Sequence, residues 1–371
     1  MSGRRIRVGI VGCGEATQIL HLPSLRQLAD TFEVVGLCDV DVEVVEGVGR
    51  AWGVEFRVTD YRQLLDVSGL DAVLIACPDW WHAEVTIDAL HAGKHVLVEK
   101  PMCMDLSEAD AIVEAERSTG LVVQVGYMRR YAKAFREMLQ RVANISPVYV
   151  AVHDVVGRNE LIIKDVASVI RPRARGDIGV QEEEAALARD RLARAAGTQD
   201  ERLIRAYRLM LNLASHDVSA MRELVGMPRG VLCCAVSGGG SMITASFDYG
   251  DACAQMVAGF DDIPRFDGWI EVYGKRDIVR LELDTPYVRN LPHYVQHVMA
   301  SKHGAVERLR VQAPWGDAFV EEWRAFGQCI REGTKSRTSP EDARMDLLLF
   351  QRMIGAVADF LDAPADKSLR D

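Results

Sequence analysis

Residues 7–14 read RVGIVGCG, a short apolar run that breaks into a glycine turn, and a helical pattern follows at 16–29. A strand entering such a turn brings backbone against a phosphate, because glycine has no Cβ to hold the ligand off and the next helix presents its positive end. The same rhythm continues outward: EVVGLC then 42–52, AVLIA then 81–92, HVLV then 107–119, and LVVQV up to about 126. Apolar strands alternating with helices predict an α/β fold, with residues 1–126 forming a Rossmann domain on a doubly wound parallel sheet. Ligands of such sheets lie at the carboxyl ends of the strands.

After 127 the rhythm changes. VYVAVHDVV, VLCCAVSG, SMITASFDYG, CAQMVAGFD, WIEVYGK and IVRLEL are strand-like, several of them separated by one glycine-containing turn. Residues 127–371 therefore read as a second α/β domain with a large open, mainly antiparallel sheet. Periodicity predicts helices over 203–225, 316–333 and 340–361, the last entered through Ser339 as cap and Pro340 in the first turn. A charged insert at about 160–200 contains RPRARGD and QEEEAALARDRLARAA. It reads either as a solvated helix with its loop, or as a lid or oligomer contact that turns Arg171, Arg173 and Arg175 toward an anionic substrate group.

The chain has 371 residues, 49% of them hydrophobic, and a net charge of -10, so it buries a full core but offers no basic footprint for nucleic acid. Eight cysteines without a C-x-x-C ladder fit reduced, buried thiols in the cytoplasm. The run after Arg4-Arg5 reads as a strand rather than an export signal, and no stretch approaches the roughly 20 apolar residues of a membrane helix. No metal site is expected.

Gly12-Cys13-Gly14-Glu15-Ala16 form the expected phosphate turn, with Thr17 where the third glycine of the dinucleotide fingerprint would stand. Asp39 ends the second strand. A carboxylate there accepts hydrogen bonds from ribose hydroxyls and repels a 2′-phosphate, which favours NAD over NADP; the plainer alternative is that Asp39 starts a turn. Cys77, Pro78, Asp79 and His82 follow the AVLIA strand and face the nicotinamide half of a dinucleotide, with Asp79 also suited to cap a helix and His82 to hold the loop. Glu99-Lys100-Pro101 ends HVLV. An exposed lysine titrates near roughly 10.4, whereas a cationic ring beside it disfavours the protonated amine and makes Lys100 a proton-transfer group at neutral pH. Pro101 stiffens the exit, through a cis bond if one forms. On the helix at 203–225, Asn212 and His216 share a face with Arg208 and Ser219, turned to a polar cleft or to water.

Taken in order, GIVGCGEATQILHLPSL, CPDWWHAE, GKHVLVEKPM, VGYMRRY, SHD and FGQCIREGTKSRTSPEDARMDLLLFQ make the chain resemble the glucose-fructose oxidoreductase, inositol dehydrogenase and MocA (Gfo/Idh/MocA) family over nearly its full length. The resemblance implies an NAD cofactor, a sugar or cyclitol substrate, and an open sheet whose outer face builds a homodimer or homotetramer. It also implies acid-base work by the lysine of E-K-P, here Lys100, and by a D-x-G-x-H element. This chain has Asn212-Leu213-Ala214-Ser215-His216 there, keeping the histidine and replacing Asp by Asn. An amide takes no proton, so His216 becomes the general base, Lys100 polarises the substrate oxygen and Asn212 positions. Tyr127, Arg129 and Tyr131, together with His153, Asp154, Arg158 and Asn159, are expected to approach the substrate cleft. Three functions follow: a dehydrogenase acting on a secondary alcohol, a redox-neutral elimination or glycoside cleavage with tightly held NAD, and a dinucleotide-responsive regulator without catalysis.

Overall fold

In the computed structural model the described residues are 4–172 and 178–362. Arg173 and Arg175 lie outside them. Strands β1 (Ile6–Val11), β2 (Phe32–Cys38), β3 (Phe56–Val58), β4 (Ala72–Ile75), β5 (His95–Glu99) and β6 (Val123–Gly126) form one sheet. Its order is β3-β2-β1-β4-β5-β6 with every neighbour parallel. Helices cover both faces, which is why β4 is buried at every residue and carries no polar alternation. The order reverses between β1 and β4, leaving a crevice where the turn after β1 meets the loop after β4. Gly12 makes this approach possible: its φ is 97°, and a Cβ there would lie 2.4 Å from the Ala76 carbonyl. The edge strand β3 escaped the sequence pattern because it is three residues long and partly exposed.

The second sheet comprises β7 (Tyr149–Gly157), β8 (Gly230–Ser237), β9 (Met242–Asp248), β10 (Cys253–Asp261), β11 (Phe266–Tyr273), β12 (Asp277–Leu283), β13 (Tyr294–Ala300) and β14 (Val306–Gln312). Its order is β14-β13-β12-β11-β7-β10-β9-β8. Among the described residues the only parallel pair of this sheet is β7 with β10, so the expected large, mainly antiparallel sheet is present. Strands β13 and β14 were not expected; β14 is largely exposed and rich in charge, and lacks the apolar signal of a half-buried strand.

The helix predicted over 203–225 is not continuous. It runs as Glu201–Leu209, a π-turn at Met210–Ala214, and Ser215–Val225. A π-turn inserts a residue into the helical phase and often marks a working site. A second one, Thr17–His21, interrupts the helix that leaves the glycine turn. The insert contains helices Glu160–Val166 and Ile178–Ala196.

Near its end the chain returns to the first sheet. Helix Ala318–Glu332 buries Val320, Trp323 and Phe326 in the cluster that holds Ile6, Leu25 and Phe32. The Trp323 indole N–H donates to His21 Nδ1 at 3.1 Å. The backbone N–H of Val125, on β6, donates to Thr338 O at 2.8 Å, just before the final helix Pro340–Asp362. Replacing fully buried Trp323 by alanine should cost about 3–5 kcal/mol, seen as a lower urea midpoint by circular dichroism; an unchanged midpoint would deny that this helix ties the two units together.

Candidate active site

A cavity of about 420 Å³ opens at the crevice between the domains. Ala16, Cys77, Pro78, Asp79, His82, Glu99 and Lys100 line it from the first domain, and Arg129, Asn159, Arg208, Asn212 and His216 from the second. Beside it lies the glycine turn. A Cβ on Gly14 would meet nothing within 4 Å, so this backbone faces free space at a helix start. The Cys13 side chain is buried and takes part only through its backbone, whose N–H donates to Asp39 Oδ2 at 2.8 Å. Asp39 Oδ1 accepts from the Asp41 N–H at 3.0 Å, so the carboxylate is fixed at the end of β2. These residues fit a dinucleotide: open backbone for the pyrophosphate and an oriented anion for a ribose.

Lys100 is brought to the cavity by β5, and its peptide to Pro101 is cis. Its Nζ donates to the backbone carbonyl of Asn212 at 2.7 Å, a bond from one domain to the π-turn of the other. Burial pulls the amine below the ordinary lysine range and Arg129 adds to this, while Glu99, Asp79 and Asp154 oppose it. Glu99 is itself held: Oε1 accepts from His21 Nε2 at 2.9 Å and Oε2 from the Lys100 N–H at 3.0 Å. Since His21 Nδ1 accepts from Trp323, its proton sits on Nε2, and a Trp323–His21–Glu99 chain braces the lysine from behind. The sequence reading gave His21 no role, although HLP lies in one of the quoted motifs.

His216 is buried, and its Nδ1 has no hydrogen-bond partner among the described residues. Burial, with Arg129 and Lys100 nearby, drives its pKa well below the ordinary histidine value. The imidazole is therefore neutral at physiological pH. Arg129 is clamped between Asp217 Oδ1 at 2.7 Å and Asp154 Oδ2 at 2.8 Å, all three side chains being buried. Burial and the neighbouring Asp154 push Asp217 well above the carboxylate range, while the Arg129 guanidinium opposes this. Asp217 was missed, though it directly follows His216 in SHD.

Several expected substrate contacts lie elsewhere. His153 and Asp154 are neighbours on β7 and must face opposite sides of the sheet. Asp154 takes the cavity side. His153 stacks on Trp269 at 5.2 Å between ring centroids and pairs with Asp267, on the outer face. Arg158 is exposed and pairs with Glu160 and Asp262 rather than lining the cavity. The buried Tyr127 hydroxyl faces Asp346, and Tyr131 OH meets Thr338 and Ser336. Arg129 reaches the cavity, but its charge is spent on the two aspartates. His82 holds the loop: its ring nitrogens lie 2.7 Å from Pro101 O and 2.8 Å from Cys77 O. Glu15 pairs with Arg171 of the insert.

Residues 6–127 match the sequence profile of an oxidoreductase family with an NAD-binding Rossmann fold, the Gfo/Idh/MocA family. Over these residues the chain is similar to members of this family. Among curated proteins, the chain is 32% identical over 138 residues to inositol 2-dehydrogenase of Salmonella typhimurium, covering 36% of the chain and 40% of that protein. It is 31% identical over 138 residues to scyllo-inositol 2-dehydrogenase (NAD(+)) of Bacillus subtilis, covering 37% and 40%. The match thus spans about two fifths of the length of these relatives. Among solved structures, a 3-ketoreductase from Actinomadura kijaniata in complex with NADP and TDP-benzene superposes with a TM-score of 0.70 at 20% identity, covering 96% of this chain and 98% of that one. A protein from Desulfitobacterium hafniense gives 0.76 at 16% identity, covering 96% and 97%. At these identities the likeness establishes the fold of both domains. No helix among the described residues is long and apolar enough to cross a membrane.

The neutral imidazole has a measurable consequence. As pH falls below 6.5, the ordinary histidine value, the unfolded chain takes up a proton that folded His216 refuses, so the folded state loses stability. His216→Gln should flatten the pH dependence of the unfolding free energy between about pH 5 and 6.5 by up to about 1.4 kcal/mol per pH unit, measured by urea titration. An unchanged slope would place the imidazole in solvent.

Proposed function

We propose that the protein is an NAD-dependent dehydrogenase acting on a secondary alcohol of a sugar, cyclitol or glycoside. The observation that carries this reading is the convergence of Lys100 and His216, from two domains, on one cavity beside a dinucleotide turn. A bound dinucleotide would accept or return the hydride at nicotinamide C4. The chain's own residues do the rest. Lys100 spends one N–H on the Asn212 carbonyl and keeps two for the substrate oxygen. His216, neutral and lining the cavity, takes the hydroxyl proton when an alcohol is oxidised and returns it in reduction. The Asn212 side chain, at the cavity wall, orients a hydroxyl without competing for the proton.

The fixed Asp39 carboxylate supports NAD over NADP, since a 2′-phosphate would meet a charge already locked by two backbone N–H groups. Substrate class rests on the inositol dehydrogenase relatives and on the side chains of Asp79, Asn159, Arg208 and Asn212 that line the cavity. We extend the reading to assembly as a homodimer or homotetramer through the outer face of the second sheet.

Screening sugars and inositols by NADH absorbance together with product mass tests the reading, because mass also reveals redox-neutral turnover. On the substrate so found, Lys100→Ala should lower turnover by at least about 100-fold while NAD still binds; retained turnover would remove the lysine from the chemistry. Asp39→Ala should improve use of NADP relative to NAD by at least about tenfold, measured as the ratio of kcat/KM values, and an unchanged ratio would assign cofactor choice to other residues.

A further inference from the structure

Three neighbouring strands of the second sheet turn one apolar row toward the cavity. Val156 on β7 is the register partner of Phe260 on β10 and of Phe266 on β11, and all three line the cavity. Register partners share a face, and Val156 shares its face with Asp154, two residues earlier on the same strand. At about 4.8 Å between strands, the row from β10 to β11 extends roughly 10 Å. Val156 is buried, whereas both phenylalanines are only half-buried and border the open cavity. Phe266 is fixed in place by its neighbours. A Cβ on Gly268 would lie 2.7 Å from Phe266 Cε1, so the ring rests over that glycine. The Arg129 guanidinium, held by Asp154 and Asp217, lies 5.5 Å from the ring centre. None of the groups proposed for the chemistry belongs to this row: Lys100 follows β5, and Asn212 and His216 lie on the interrupted helix. The cavity therefore joins hydrogen-bonding groups from the first sheet and the helix to a hydrocarbon floor on the second sheet.

Resting on the reading that the protein oxidises a secondary alcohol of a sugar, we propose that its substrate is an aryl glycoside whose aglycone lies on Phe260, Val156 and Phe266. A free sugar or cyclitol bears hydroxyls around its whole ring, and hydroxyls moved from water onto this floor would lose hydration without gaining a partner from it. The C–H face of a pyranose can cover one aromatic ring, but the row is longer than a single pyranose. A flat aryl group attached to the sugar fills that length and meets both phenylalanine rings without leaving a polar group unpaired. The reaction at the sugar is the one already proposed. The carbinol hydrogen leaves as hydride to nicotinamide, the hydroxyl proton goes to His216, and the glycosidic bond stays intact, so the product is a keto-glycoside.

The test compares phenyl and methyl glycosides of glucose, galactose and mannose, in both anomers, binding to the full chain loaded with NADH, by titration calorimetry. For the sugar that fits, the phenyl glycoside should bind at least about tenfold more tightly than its methyl counterpart. Phe260→Ala combined with Phe266→Ala should narrow that gap to within about twofold. Circular dichroism checks folding, and Phe260→Leu, which keeps apolar bulk but loses the ring, should narrow the gap in the same direction. Equal affinities in every pair, a gap that the variants leave unchanged, or binding of no phenyl glycoside would overturn the aglycone site. NADH formation from free sugars or inositols would still leave the dehydrogenase reading standing in those cases. A phenyl preference that the variants abolish, with no hydride passed to NAD from any bound glycoside, would instead overturn the dehydrogenase reading and leave the apolar site in place.

Discussion

The bond from Lys100 Nζ to the Asn212 carbonyl is the contact on which the site depends. It joins the carboxyl end of a Rossmann strand to a π-turn in the second domain, and so fixes the separation of the two units at the point where chemistry is proposed. A lysine on a strand end is otherwise free to extend into solvent through four methylenes. Here its donor is directed by a backbone acceptor, while Glu99, held by His21 and Trp323, supplies compensating charge from behind. Because Trp323 comes from a helix that returns from the second domain, both the front and the back of the lysine are set by cross-domain contacts.

Charge burial accounts for the division of labour around it. Lys100 and Arg129 both bear on His216, and a third positive charge in so dry a place would be costly, so the imidazole stays neutral. Arg129 is tolerated because Asp154 and Asp217 surround it. The replacement of Asp by Asn at 212 follows the same logic. Its backbone carbonyl performs the positioning, and carboxylate charge reaches Lys100 from Glu99, Asp79 and Asp154 instead.

The sheet architecture was legible because buried parallel strands write themselves as apolar runs and the glycine turn between them has few other uses. Gly12, Asp39, Lys100 and His216 were legible for the same reason: each occupies a strand end or helix face that the periodicity defines. What the sequence hid has physical causes. The π-turn at Met210–Ala214 leaves no local composition signal, since it is a shift in hydrogen-bond phase. On β7, strand alternation sends Asp154 to the cavity and His153 to the outer face, and reading the segment as a polar cluster blurred that distinction. Arg158 and Tyr127 have chemistry suited to a sugar, but local ion pairing and a buried hydroxyl partner claim them first. The insert carried a charge pattern typical of a solvated helix, while the Ile170 backbone just ahead of the arginine run is held by the Gln18 side chain.

In the proposed mechanism the Lys100 amine and the His216 imidazole would face one another across a nicotinamide. A crystal structure of the full chain with NADH bound measures this directly. It should show Lys100 Nζ still on the Asn212 carbonyl and, with the His216 ring, directed at the space over nicotinamide C4. A nicotinamide ring lying outside this cavity, or Lys100 turned into solvent with the cofactor in place, would contradict it.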